Sequence, residues 1–196
     1  LGLFQGRQVL AAHCVHLNEE EIGILHQYQV GVAHNPESNM KLASGIAPVP
    51  RMLESGIAVA LGTDGASSNN NMDMLQEMRS SAFLHKVNTM NPTVLPAYQA
   101  LEMATANGAI SLGMGNELGR LEPGYRADMI IMNLKEAHMI PRYDLLANIV
   151  YSAQASDVNS VIIDGKIVME NREIKTFDEQ EVLAKARETA RRLVGK

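Results

Sequence analysis

The chain has 196 residues, 46% of them hydrophobic, with a formal charge of -5 and an isoelectric point near 5.7. That is enough apolar material for one or two domains with a core. The acidic balance and the scattered Lys and Arg exclude the basic face of a nucleic-acid binder and a polybasic membrane patch.

No apolar run approaches the roughly 18 residues of a membrane-spanning helix. The single cysteine, Cys14, cannot close an internal disulfide, so a reducing, cytoplasmic setting is expected. The chain opens at Leu1, only a short loop ahead of its first apolar run, and reads as part of a longer polypeptide.

The first half repeats strand, loop and helix three times. An apolar strand over residues 8–13 ends on His13, and Asn18 then caps a helix whose first turn holds Glu19, Glu20 and Glu21. Ile22, Leu25 and Tyr28 give that helix a buried stripe. A second strand, 29–34, ends on His34 and leads into a loop. Pro48 opens a helix that runs to Ser55, with Gly56 as its stop. A third strand, 57–63, delivers Asp64 into the turn sequence Asp64-Gly-Ala-Ser-Ser-Asn69. Helices are predicted from Asp73 to Lys86 and from Leu95 to Leu112, the latter closed by Gly113.

The three tips lie about 20 and about 30 residues apart, the spacing of βα units with parallel strands. From Gly115 the character changes. Residues 126–132 read as a strand, 142–153 as helical, and 161–169 as a hairpin turning at Asp164-Gly165. Asp178 caps a charged amphipathic helix to residue 194. The expected class is α/β, with a catalytic segment over 1–114 and an accessory β segment over 115–196. A closed eight-stranded barrel needs about 250 residues; three strands make only part of one.

Strand tips that gather His and Asp are where such barrels keep their chemistry. Asp64 suits a metal ligand or a proton acceptor, although Asp-Gly also starts ordinary turns. His13 suits a neutral or cationic imidazole facing metal-bound water or substrate, or a histidine hydrogen-bonded at a strand end. His13, His34 and Asp64 together have the composition of a three-ligand zinc site, but His-Glu-x-x-His and Cys-x-x-Cys signatures are absent. His34 begins His34-Asn-Pro-Glu-Ser-Asn39, a polar cluster that could line a pocket or tie a loop. His16 reads as structural, His26, His85 and His138 as surface residues, and Cys14 and the twelve methionines as packing.

Three segments, Ala12-His-Cys-Val-His-Leu17, His34-Asn-Pro-Glu-Ser-Asn-Met-Lys-Leu42 and Leu61-Gly-Thr-Asp-Gly-Ala-Ser-Ser-Asn-Asn70, resemble the amidohydrolase superfamily. The likeness extends through Ala104-Thr-Ala-Asn-Gly-Ala109, Gly119-Arg-Leu-Glu-Pro-Gly124 and Ala127-Asp128. The branch is similar to the 5-methylthioadenosine/S-adenosylhomocysteine deaminases and related to atrazine and ethylammeline chlorohydrolases.

The resemblance implies strands six to eight of a metal-dependent hydrolase (β/α)8 barrel and the C-terminal share of a small β-sandwich. It implies one Zn2+, or another divalent ion such as Fe2+, held by a His-x-His pair, a further His and Asp64. Of these only Asp64 lies in this chain. His13 matches the histidine that stabilises charge at the attacked centre, so both His13 and Asp64 would face the substrate, and His34 receives no ligand role. Arg120 and Tyr125 depart from the family pattern at remote positions.

The implied reaction is hydrolytic deamination of an adenine nucleoside. Asp64 takes a proton from the attacking water and returns it to the departing ammonia. The implied partners are the nucleoside, the N-terminal barrel half and further copies in a homo-oligomer, with no nucleic acid and no membrane. By itself the chain is expected to bind zinc weakly and not to turn over. Guanine deaminase, triazine chlorohydrolase and a non-catalytic self-assembling fragment are the alternatives.

Overall fold

The computed structural model describes residues 2–195. Contacts divide the chain into two compact units, Leu1–Tyr125 with Lys135–Ala155, and Arg126–Leu134 with Ser156–Lys196.

The first unit runs β1 (Leu10–Ala12), α1 (Glu19–Gln27), β2 (Gly31–His34), α2 (Pro36–Lys41), α3 (Val49–Glu54), β3 (Val59–Leu61), α4 (Ala66–Asn69), α5 (Met74–Thr89), α6 (Ala97–Ala104) and α7 (Ala106–Ser111). Its second segment adds α8 (Leu145–Tyr151). The strands form a parallel sheet in the order β1-β2-β3, with Ala12 opposite Ala33 and His34 opposite Leu61. Parallel neighbours need crossovers; α1 supplies the first, and α2 with α3 the second. This is the expected βα portion of a barrel.

The core sits between sheet and helices. Val32, Val59, Met52, Ala100 and Met103 are fully buried, the larger of them worth about 1.5–3 kcal/mol each by transfer from water. At the sheet's edge, Leu10 of β1 is 43% exposed. α1 begins in a capping box: Asn18 Oδ1 accepts from Glu21 N at 2.9 Å, and Glu21 Oε2 from Asn18 N at 2.8 Å.

Several elements differ from expectation. The segment after His34 is not a loop but α2, with Pro36 in its first turn, where a missing N–H is harmless. A short α4 likewise follows Asp64. The helix expected over 95–112 is two, α6 and α7, broken at Thr105 with φ -131° and ψ -94°. The reading of His85 as a surface residue is corrected. It is fully buried on α5, on the same stripe as Leu75, Met78 and Ala82. Cys14 is half-buried in the turn after β1 rather than packed in the core.

The second unit is an antiparallel sheet in the order β4-β5-β6-β7, comprising β4 (Met129–Met132), β5 (Val158–Ile163), β6 (Lys166–Glu170) and β7 (Glu173–Ile174). Asp164 and Gly165 turn the β5–β6 hairpin with φ of 49° and 74°, as a two-residue hairpin requires. The unit ends with α9 (Glu179–Val194), capped by Asp178 and with no buried residue. Among the described residues, no helix is long and apolar enough to cross a membrane.

Candidate active site

Just past the C-terminal ends of β1 and β3 the chain places a polar residue in the left-handed region, His13 directly after β1 at φ 65° and Asp64 three residues after Leu61 at φ 59°. His and Asp are among the side chains that tolerate this conformation. The two come together, with His13 Nε2 3.7 Å from Asp64 Oδ2 and both side chains partly open to solvent.

Each is held from α2. His13 Nδ1 donates to Asn39 Oδ1 at 2.8 Å, which leaves Nε2 as the ring atom turned toward Asp64. Ser38 Oγ donates to Asp64 Oδ2 at 2.8 Å. Ser68, on α4, donates to the same oxygen at 2.8 Å, and Gly65 N donates to Oδ1 at 2.8 Å. The two hydroxyls and the backbone N–H stabilise the carboxylate form and lower the Asp64 pKa, the Ser38 bond most. At neutral pH the group is an anion ready to accept a proton or a cation.

His34 does not join them. It is fully buried, and its Nε2 lies 3.1 Å from Nε2 of His85. Burial first, and the neighbouring imidazoles second, push the His34 pKa down to about 3; burial and then Lys86 push His85 down to about 4. Two neutral rings therefore share one hydrogen bond, and Nδ1 of each has no partner among the described residues. His16 is exposed on the loop after β1.

A second carboxylate, which no sequence motif marks, bonds to the residues next to Ser38 and Ser68. Glu77 on α5 is fully buried. Its Oε1 accepts from Asn69 Nδ2 at 2.5 Å, and its Oε2 from Glu37 N at 3.2 Å. Burial raises its pKa to about 7 against the opposing effect of those bonds. At the surface Lys41 ties the same two segments together, donating to Ser67 O at 2.9 Å and to Asn70 Oδ1.

Among the described residues, no group of three or more His, Cys, Asp or Glu is arranged to hold a metal ion. Asp64 with His13 supplies at most two donors, and His13 has one nitrogen committed to Asn39. A catalytic zinc takes three protein ligands, so the residues of this chain do not by themselves fit one.

The sequence profile of the Amidohydrolase family matches residues 1–168. A 5-methylthioadenosine/S-adenosylhomocysteine deaminase from Syntrophomonas wolfei is 97% identical over 196 residues, covering 100% of this chain and 46% of that protein. Among solved structures, an adenosine deaminase from Xanthomonas campestris with bound zinc superposes with a TM-score of 0.93 at 36% identity, covering 95% of this chain and 43% of the other. Atrazine chlorohydrolase from Arthrobacter aurescens complexed with zinc gives a TM-score of 0.85 at 28% identity, covering 90% and 39%. The chain spans about half the length of the curated relatives it matches.

Proposed function

The chain belongs to the amidohydrolase family, and from that premise we propose that it supplies part of the active site of an enzyme that hydrolytically deaminates an adenine nucleoside. S-adenosylhomocysteine and 5-methylthioadenosine are the substrates that the 97% identical relative's name supports. The single observation that carries the site is the Asp64 carboxylate held at the tip of β3 with the His13 ring across from it at 3.7 Å. In this reading β1, β2 and β3 are strands six to eight of the barrel. The remaining strands come from polypeptide outside this chain.

Asp64 is the chain's one metal ligand in this reading, the relatives solved with zinc being the support for a divalent ion. One carboxylate does not by itself make a metal site. The chain's own residues have two tasks. Asp64, kept ionised by Ser38, Ser68 and Gly65, accepts the proton of the attacking water and gives it to the departing amine. His13, oriented by Asn39, presents Nε2 to the charge that develops on the attacked centre. The isolated chain performs neither task on a nucleoside, because most of the site is absent.

Ammonia release from S-adenosylhomocysteine, 5-methylthioadenosine and adenosine tests the reading. The 196-residue chain alone is expected to release none, and a polypeptide that also carries the remaining barrel strands is expected to turn over. Asp64→Asn in that longer polypeptide should abolish turnover; wild-type turnover in the variant would overturn the assignment.

A further inference from the structure

Burying a carboxylate is costly unless its oxygens are bonded, and Glu77, fully buried on α5, directs its hydrogen bonds to neither Asp64 nor His13. What its two oxygens hold is informative. Oε1 takes the side-chain amide of Asn69, the residue after Ser68; Oε2 takes the backbone N–H of Glu37, the residue before Ser38. Ser68 and Ser38 are the two hydroxyls on Asp64 Oδ2, and the next residue of α2, Asn39, holds His13. Asn69 Oδ1 in turn accepts from Met72 N at 2.7 Å and closes the α4 loop.

We infer that Glu77 is a positioning residue that clamps α2 to the α4 loop and thereby sets the geometry of the His13–Asp64 pair. The inference rests on the reading that this pair carries the chemistry. Both partners of Glu77 are donors, so both of its oxygens must accept. An amide at this position turns an N–H2 group toward one of them and opens one side of the clamp. A carboxylate at position 69 opens it from the other side, by facing Glu77 with an acceptor. Making both changes restores the pattern in reverse. The introduced amide nitrogen then donates to the introduced carboxylate, while the remaining acceptors still serve Glu37 N and Met72 N.

The test is the set Glu77→Gln, Asn69→Asp and the double variant. Turnover is measured in a polypeptide carrying the whole barrel, and the His13 ring is read by 15N NMR in the 196-residue chain. Each single variant is expected to lose on the order of tenfold in kcat, with KM within about twofold. Each should also convert the His13 ring from one tautomer to a mixture. The double variant should recover both. Wild-type kcat and an unchanged ring in the single variants overturn the inference, as does a double variant no better than either single. If one single variant does not fold, the other and the double decide. If the longer polypeptide shows no deaminase activity, the proposed function fails, and the ring measurement alone decides the role of Glu77.

Discussion

Ser38 donates its hydroxyl to Oδ2 of Asp64 at 2.8 Å, joining the first turn of α2 to the tip of β3. It is the largest influence holding that carboxyl below its ordinary range, ahead of Ser68 and Gly65. A strand tip thus acquires a stable anion from a hydroxyl on the preceding crossover.

Ser38→Ala should move the Asp64 titration midpoint upward, because the charged form loses its strongest donor. Carboxyl 13C NMR of the chain reads this directly. A midpoint that stays put would show that Ser68 and Gly65 suffice.

Asn39→Leu separates order at the site from stability. The Asn39 side-chain nitrogen is buried and has no partner among the described residues, so an apolar side chain of similar shape should leave stability within about 1 kcal/mol of wild type or raise it. His13 loses its Nδ1 acceptor and should populate both tautomers. Denaturant unfolding together with 15N NMR checks both halves; a single tautomer in the variant counts against Asn39 as the orienting group.

Acid should destabilise the first unit through His34 and His85. Their folded pKa values, about 3 and about 4, lie below the ordinary 6.5. Their stabilising contribution is therefore complete above pH 6.5 and is lost as pH falls from there through 4 and 3, because the unfolded chain takes up its protons first. Glu77 acts in the opposite sense. Its folded value of about 7 lies above the ordinary 4.5, so its contribution is present below 4.5 and is lost as pH rises through 7. Between pH 6.5 and 4.5 the two histidines oppose the one carboxylate and outweigh it, so the net effect of acid there is destabilising. Thermal midpoints from pH 7.5 to 4 should show this, and His85→Gln should flatten the profile. An unaltered profile would remove the histidine pair as its cause.

Gly31→Ala should destabilise the sheet. A Cβ there would lie 2.8 Å from both Cα and Cβ of Ser111, and backbone cannot swing aside as a side-chain end can. Overpacking of this kind costs about 1–3 kcal/mol. Urea unfolding measures it; a loss below about 0.5 kcal/mol would mean that α7 shifts without penalty.

The parallel βα order was legible in the sequence because each apolar run ends abruptly on a polar residue. Those tips grouped His13, His34 and Asp64, but only His13 and Asp64 come together, while His34 is buried against His85. α2 was missed because Asn35-Pro36 reads as a strand stop, although proline is equally at home in a first helical turn. His85 carried a signal that went unused: with Leu75, Met78 and Ala82 it continues the helical stripe of buried positions on α5. Glu77 had none. A carboxylate on a helix is ordinarily solvated, and only the tertiary arrangement of α2, α4 and α5 explains its burial.

The left-handed backbone at His13 and Asp64 shapes how this protein can decay. Glycine and asparagine sit in that conformation with little strain, and either would erase the reactive group while leaving the turn intact. A chain altered at these two positions can therefore keep its fold while losing both side chains that the proposed chemistry needs.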